Sequence, residues 1–153
     1  MDLILWRHAE AEEWVEGCDD LARALTPRGE KQAARMAGWL DRQVPEGARV
    51  MSSPARRCEQ TVLALGRKYK LRDELSPMAS AEELLELVKW PNGKGTLLVV
   101  GHQPALGLVI TRVAGLQEGA CAVRKGAVWW LRSRERGESL QTVVVTVQSP
   151  DML

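Results

Sequence analysis

Unbroken apolar runs alternate along the chain with longer segments in which apolar residues recur at helical spacing. The runs at residues 3–6 and 97–100 contain no polar side chain other than the indole of one tryptophan. Such runs are typical of central strands in a parallel sheet that is covered on both faces. We therefore predict strands over residues 2–6 and 97–100, and a further short strand over residues 48–51.

Helices are predicted where a capping residue or a proline precedes an amphipathic segment. The Thr-Pro pair at 26–27 predicts the start of one helix, and the Ser-Pro pair at 53–54 predicts a second that extends to about residue 69. Residues 80–83 have the form of a capping box in front of a third helix. A fourth helix is predicted from Pro104 to a stop near Gly115.

The last part of the chain is rich in β-forming residues. Runs around residues 121–131 and 140–147 are predicted to pair as an antiparallel hairpin at one side of the sheet. Residues 9–25 are predicted to form an irregular acidic segment after the first strand. This order predicts one α/β domain over residues 1–153, a three-layer α/β/α sandwich with a mostly parallel central sheet and an antiparallel C-terminal part.

Composition and charge narrow the classes of partner. The chain has 153 residues, of which 45% are hydrophobic and 27% charged, and its formal net charge is +1. A net charge so close to zero gives no field that would recruit nucleic acid or an anionic membrane, so we expect neither partner. The three cysteines are odd in number and widely spaced, which is typical of reduced thiols. Because no apolar stretch could span a bilayer and no signal pattern is present, we expect a cytoplasmic protein.

Both histidines of the chain directly follow a predicted strand. Arg7 and His8 follow residues 2–6, and His102 follows residues 97–100 after a single glycine. Ligands of open α/β sheets bind beyond the carboxyl ends of the strands. An Arg-Arg pair at 56–57 also follows the strand at 48–51, near the start of a helix. Arginine and helix N-termini both favour phosphate oxygens, so the sequence predicts a pocket for phosphate or sulfate at this edge.

Four blocks of the sequence resemble, in the same order, the motifs of the histidine phosphatase superfamily, which includes the cofactor-dependent phosphoglycerate mutases. Residues 5–9 are similar to the family's Arg-His-Gly signature, and residues 25–33 to its Leu-Thr-x-x-Gly-x-x-Gln-Ala segment. Residues 53–61 match its Ser-Pro-x-x-Arg-Ala-x-Gln-Thr block, and residues 100–104 match its Gly-His-Asn-Pro block. The short length and lack of an inserted cap domain resemble the compact phosphohistidine phosphatases of the SixA type.

The resemblance implies roles for individual side chains. It assigns His8 as the nucleophile that accepts the phosphoryl group, and Arg7, Arg57 and His102 as ligands of the phosphoryl oxygens. Arg56 and Arg57 cannot both face the site, because adjacent helical residues point about 100° apart. A neutral imidazole can form a covalent intermediate, and arginines can compensate charge on the phosphoryl oxygens. We therefore expect no metal and no other cofactor.

The identity of a proton donor is left open by the sequence. Larger family members place a glutamate donor after the second strand, which makes Glu82 and Glu83 candidates, although Glu83 also fits a helix cap. Ser53 is expected to cap a helix and Cys58 to pack in the core. Two departures from the family pattern, Ala9 for glycine and Gln103 for asparagine, lie beside the histidines.

The expected activity is hydrolysis through a covalent phosphohistidine intermediate. An imidazole leaves phosphorus more easily than an alkoxide, so a site without a committed acid favours phosphohistidine in a protein, such as a phosphotransfer domain. A small-molecule phosphomonoesterase of the same superfamily is the nearest alternative. A noncatalytic phosphate-binding regulatory module is an alternative of another class, and a zinc site has no recognised ligand spacing here.

Overall fold

A six-stranded sheet forms the middle layer of the computed structural model, which describes all 153 residues. Its strands are β1 Asp2–Arg7, β2 Arg49–Ser52, β3 Lys70–Leu71, β4 Thr96–Gly101, β5 Val128–Arg136 and β6 Ser139–Gln148. Their spatial order is β3-β2-β4-β1-β5-β6. The first four strands in that order are parallel to one another, whereas β5 and β6 run antiparallel to their neighbours.

Helices cover both faces of this sheet, and α1 and α3 begin at side chains that cap them. They are α1 Pro27–Gln43, α2 Arg56–Leu63, α3 Ala81–Val88 and α4 Ala105–Ala114. Thr26 caps α1 by accepting a hydrogen bond from the N–H of Gly29, and Ser80 and Glu83 form the predicted capping box of α3. Gly115 ends α4 in the left-handed conformation, at φ 68°, which glycine adopts without steric cost. None of the helices combines the length and the apolar character that crossing a bilayer requires.

Strand β1 shows why the domain has three layers. Its residues from Leu3 to Trp6 are all 0% exposed, so both faces of the strand are covered. Leu3 and Leu5 pack in one apolar cluster with side chains of α3 and α4, whereas Ile4 and Trp6 pack in a second cluster with α1 and α2. Alternate residues of a strand point to opposite faces, so an unbroken apolar run supplies both cores. The predicted α/β/α sandwich with its mostly parallel sheet is confirmed.

The predicted boundaries of α2 are wrong at both ends, and the short strand that follows this helix was not predicted. Helix α2 starts at Arg56, later than the Ser-Pro pair at 53–54, and ends at Leu63 instead of near residue 69. Gly66 adopts φ 72°, a conformation that interrupts a helix. The chain then forms β3, which is only 2 residues long and too short to leave an apolar pattern.

The C-terminal hairpin also differs from the prediction. Its first strand begins at Val128, so most of the β-rich run at 121–131 precedes the strand. Gly126 adopts φ 74°, and its N–H donates to the carbonyl of His8 at 3.0 Å. The residues before β5 therefore form a turn that closes over the end of β1 and contributes to the site described below.

Candidate active site

The carboxyl ends of three neighbouring parallel strands bring the four predicted site residues together. Arg7 at the end of β1 lies opposite Gly101 at the end of β4, which pairs on its other side with β2. His8 and His102 follow these ends, and Arg57 lies in the first turn of α2 after β2. All four line one cavity of about 210 Å³. The two imidazole rings lie 5.3 Å apart, with their planes inclined at 57°.

The hydrogen bonds of His8 fix the tautomer of its ring. Its Nδ1 lies 2.7 Å from the backbone carbonyl oxygen of Ala9. A carbonyl oxygen only accepts, so Nδ1 carries the proton and Nε2 keeps its lone pair. Burial, aided by the charges of Arg57 and Arg7, lowers the pKa of His8 to about 4. The ring is therefore neutral near pH 7 and can use Nε2 as a nucleophile.

His102 has the opposite tautomer, because its ring nitrogens meet different partners. Its Nδ1 lies 3.4 Å from Nη2 of Arg57, which can only donate, so Nδ1 is the acceptor. Its Nε2–H then donates to Oγ of Ser53 at 2.8 Å. Burial, together with the nearby charge of Arg57, lowers the pKa of His102 to about 3. The second imidazole is thus also neutral, with Nδ1 directed at the guanidinium.

Ser53 was predicted to cap a helix and Cys58 to pack in the core, and both side chains contact the imidazole of His102. Ser53 does not cap α2, whose N-cap position is occupied by Ala55 without a side-chain hydrogen bond. The Oγ of Ser53 accepts from the N–H of Ala55 at 3.2 Å as well as from the imidazole. Cys58 is 0% exposed, as its predicted packing role requires, and its Sγ lies 3.4 Å from Nε2 of His102. Burial raises the pKa of Cys58 to about 12, so it remains a thiol.

Arg57 and Arg56 point in different directions from α2, as expected for adjacent residues of a helix. Arg57 is 3% exposed and lines the cavity, whereas Arg56 lies exposed on the outer side of α2. The Nη1 of Arg57 donates to the carbonyl oxygen of Asp20 at 2.8 Å, and its Nη2 to Oδ2 of Asp20 at 3.2 Å. One residue of the irregular segment therefore fixes both terminal nitrogens of this guanidinium.

Buried arginine donors in the cavity wall lack protein partners. Nη1 of Arg7 donates to the carbonyl of Val123 at 2.8 Å, but the buried Nε atoms of Arg7 and Arg57 have no hydrogen-bond partner. Leaving a buried donor unpaired is costly, and the cost is higher for a charged group. Burial also lowers the pKa of Arg7 from its ordinary value. These guanidinium groups are suited to an oxygen-rich anion such as phosphate.

The sequence did not indicate Asp20, Arg23 or Lys125 as part of the site. Arg23 and Lys125 line the cavity beside the predicted residues. Nε of Arg23 donates to Oδ1 of Asp20 at 2.9 Å, and its Nη1 to the carbonyl of Glu12 at 2.7 Å. Although partial burial acts to raise it, hydrogen bonds from Arg23 and charge from Arg57 hold the pKa of Asp20 below its ordinary value. For Asp20 and Arg23, the only indication in the sequence was the length of the irregular segment at 9–25, to which no role was assigned.

Neither glutamate proposed as a proton donor lies in the cavity. Glu82 forms an ion pair with Arg112 of α4 and is 61% exposed at its side chain. The Oε1 of Glu83 accepts from the N–H of Ser80 at 3.4 Å, which completes the capping box. No carboxylate is among the residues that line the cavity. The expectation for both glutamates is therefore corrected, because the geometry of α3 uses them for other contacts.

The two departures from the family pattern are accommodated without strain. Ala9 is 0% exposed and its φ is not positive, so the backbone there does not need glycine. Gln103 spans two elements: its Nε2 donates to the carbonyl of Cys121 at 2.8 Å, and its Oε1 accepts from the N–H of Gly107 at 2.7 Å. A Cβ on Gly107 would lie 2.0 Å from the carbonyl oxygen of Cys121, so this close approach requires glycine.

Known proteins share both the sequence and the fold of this chain. A family model of the histidine phosphatase superfamily (branch 1) matches residues 3–87. Phosphohistidine phosphatase SixA of Escherichia coli (strain K12) is 30% identical over 127 residues, which cover 74% of this chain and 74% of that protein. Protein Rv1276c of Mycobacterium tuberculosis (strain ATCC 25618 / H37Rv) is 33% identical over 114 residues, which cover 71% of this chain and 72% of its own length.

The fold similarity extends over nearly the whole chain. The structure of the protein histidine phosphatase SixA complexed with tungstate has a TM-score of 0.78 and 25% sequence identity to this chain, with 99% of each chain covered. The family model alone covers more than half of the sequence, from β1 through α3. The chain therefore belongs to branch 1 of the histidine phosphatase superfamily.

Proposed function

We propose that this chain is a phosphohistidine phosphatase, which removes the phosphoryl group from phosphohistidine in proteins through a covalent intermediate on His8. The observation that carries the proposal is the hydrogen bond of 2.7 Å from Nδ1 of His8 to the carbonyl of Ala9. It leaves Nε2 unprotonated, inside a cavity whose lining includes Arg7, Arg23 and Arg57 but no carboxylate.

In the first step, Nε2 of His8 attacks the phosphorus and the P–N bond of the substrate breaks. When the other nitrogen of the substrate imidazole carries a proton, the leaving group departs as neutral imidazole and needs no acid from the protein. The phosphorylated ring of His8 becomes an imidazolium, since Nδ1 keeps its proton. Arg7 and Arg57 compensate the charge on the three oxygens that pass between the two nitrogens.

In the second step, water attacks the phosphorus of the phosphoenzyme and the new P–N bond breaks. The electron pair returns to Nε2, and the proton released by water remains on the product phosphate. Because Nδ1 of His8 still donates to Ala9, His8 leaves as the same neutral tautomer that began the cycle. The hydrogen bond to a backbone carbonyl thus supports His8 as nucleophile and as leaving group.

The composition of the cavity supports an N-phosphorylated substrate over a phosphate ester. An alkoxide has a high proton affinity and gains a large rate advantage from a positioned acid. Neither Glu82 nor Glu83 could serve, since one is paired with Arg112 and the other caps α3. The relative from Escherichia coli bears the name phosphohistidine phosphatase, which agrees with this preference.

The test is a comparison of substrates on one preparation of the enzyme. A histidine phosphotransfer domain phosphorylated on its histidine is expected to lose its label much faster than phosphoserine or a sugar phosphate is hydrolysed at equal concentration. Preference for the sugar phosphate would favour the small-molecule phosphomonoesterase. Binding of phosphate without hydrolysis of any substrate would favour the noncatalytic module. Either result would overturn the proposal.

A further inference from the structure

Large apolar side chains are exposed in two segments that each also contribute residues to the lining of the cavity, and these segments are far apart in sequence. Trp14 is 57% exposed, Val15 61% and Leu21 49%, all in the irregular segment between β1 and α1. Met78, between β3 and α3, is 95% exposed. We refer to these four residues as the apolar rim. Tryptophan and methionine are enriched at the centres of protein interfaces, so this exposure calls for an explanation.

One part of the apolar rim is fixed to the cavity by polar contacts of its neighbours. Leu21 follows Asp20, whose carbonyl and carboxylate accept hydrogen bonds from Arg57. Trp14 lies two positions after Glu12, whose carbonyl accepts a hydrogen bond of 2.7 Å from Arg23. Because Arg57 and Arg23 both line the cavity, the segment that carries these apolar side chains is held at its edge.

The other part of the apolar rim lies beside a cavity residue of the loop before α3. Pro77 lines the cavity, and Met78 follows it directly. Phosphate itself would be accommodated within the cavity of about 210 Å³ and would not reach these exposed side chains. Only a substrate that is much larger than its phosphoryl group could contact these exposed side chains while its phosphoryl group occupies the cavity. A folded protein that carries the phosphohistidine is such a substrate.

The charges around Trp14 define the partner further. Glu12, Glu13, Glu16 and Asp19 are all exposed in the same segment. The cations of the site lie in the cavity, so the outer side of the segment is acidic while the pocket is basic. A complementary partner surface places its phosphoryl group centrally, apolar side chains beside it, and lysine or arginine towards the acidic segment.

We propose that the apolar rim and the acidic segment dock the surface of the phosphorylated protein around its phosphohistidine, and this proposal rests on the proposed function. The phosphohistidine enters the cavity. Apolar side chains near it on the partner contact Trp14 and Met78, and lysine or arginine side chains beside them face Glu13 and Glu16. The apolar rim thereby selects the protein that carries the phosphohistidine and takes no part in the chemistry.

The experiment compares two substrates that share one chemical step. Kinetics of Trp14→Ala, Met78→Ala and the double variant are measured with a phosphorylated histidine phosphotransfer domain and with the free amino acid phosphohistidine. Loss of an interface hot spot corresponds to about a 30-fold change. The double variant is expected to raise KM for the protein substrate by about that factor, while its kcat/KM for free phosphohistidine stays unchanged.

Leu140→Ala is the matched control, since Leu140 is 49% exposed and lies at the far end of the β5-β6 hairpin from the cavity. Thermal unfolding of each variant verifies the fold. An unchanged KM for the protein substrate in the double variant would overturn docking on the rim, as would equal losses on both substrates. Failure of the wild-type enzyme on both phosphohistidine substrates would instead overturn the proposed function.

Discussion

The hydroxyl of Thr61 joins Ala9 to Arg57. It accepts a hydrogen bond from the N–H of Ala9 at 3.1 Å and donates to the carbonyl of Arg57 at 2.7 Å, and Thr61 is 0% exposed. The carbonyl of Ala9 in turn sets the tautomer of His8. One buried side chain therefore fixes the position of the proposed nucleophile relative to the arginine that faces it.

Removal of this hydroxyl is expected to impair both stability and catalysis. Thr61→Val keeps the shape of the side chain but leaves the N–H of Ala9 buried without a partner, which costs about 1–3 kcal/mol of unfolding free energy. It also loosens the loop that orients His8, so kcat should fall. Thr61→Ser retains the hydroxyl and should keep kcat near the wild-type value. Urea unfolding measures the stability of the two variants, and steady-state kinetics measure their kcat. Equal kcat values for Thr61→Val and Thr61→Ser would exclude this positioning role.

Phosphorylation of His8 is the most direct prediction of the proposed reaction. Rapid quenching during turnover of a radiolabelled protein substrate is expected to trap label on the enzyme, stable in base and labile in acid, as an N–P bond requires. His8→Ala should carry no label and show no turnover, because the other imidazole of the cavity, His102, has its Nδ1 bonded to Arg57 and its Nε2–H bonded to Ser53. Hydrolysis by that variant at the wild-type rate would be incompatible with the mechanism.

Two adjacent arginines provide a comparison within one helix. Arg57→Ala should lower kcat by about 10²–10³, the typical effect of removing a donor to a developing oxyanion. Arg56→Ala is the matched control, because Arg56 is exposed and Arg57 is 3% exposed in the cavity wall. Steady-state kinetics with the phosphorylated domain measure both. A larger loss in kcat for Arg56→Ala would contradict the assignment of Arg57.

The fold and the pocket were predictable for a physical reason. Continuous apolar runs reveal strands that are buried on both faces, and parallel neighbours end at one edge of the sheet, so residues directly after them converge. His8 and His102 lie in such positions, and Arg57 lies in the first turn of the helix that follows β2. These residues converge only if their strands are neighbours in the sheet. The resemblance of the four motif blocks to the histidine phosphatase superfamily supported that arrangement.

Residues of the irregular segment could not be predicted in the same way. Asp20 and Arg23 lie outside any periodic pattern, and their place at the cavity depends on a long-range contact with Arg57. The role of Ser53 was obscured because a serine before a proline is also an ordinary helix cap. For Glu82 the partner, Arg112, lies on another helix, and no local pattern indicates that pair.

Asp20 offers a test of this long-range contact. Asp20→Ala removes the carboxylate that joins Arg57 and Arg23, while the backbone carbonyl still accepts from Nη1 of Arg57. Freed guanidinium groups lose their fixed orientation, so KM for free phosphohistidine should rise several-fold. Asp19→Ala is the control, because the Asp19 carboxylate bonds only to the local N–H of Leu21. An unchanged KM in Asp20→Ala would show that Arg57 is held by its other contacts.

Anions that resemble phosphate should inhibit the enzyme, whereas a metal chelator should not. Arg7, Arg23, Arg57 and Lys125 line the cavity and supply positive charge to a tetrahedral or trigonal-bipyramidal oxyanion. Vanadate and tungstate are therefore expected to inhibit competitively with the substrate, and EDTA is expected to leave the rate unchanged. Initial rates in the presence of each reagent test this. Loss of activity in EDTA that Mg²⁺ restores would mean that the arginines are not the main charge compensation.

Burial of both histidines predicts a loss of stability in mild acid. Their pKa values are about 4 for His8 and about 3 for His102 in the folded protein, against about 6.5 in an unfolded chain. As pH falls below 6.5, the unfolded state takes up protons that the folded state does not, so the free energy of unfolding decreases with decreasing pH. Replacing His8 with glutamine removes one of these protons and should flatten the decrease. Urea unfolding of both proteins at intervals from pH 7 to pH 5 measures the slope, above the range in which most carboxylates titrate. Identical slopes would mean that the His8 imidazole already titrates near its ordinary pKa in the folded state, and the neutral nucleophile would then have to be explained without burial.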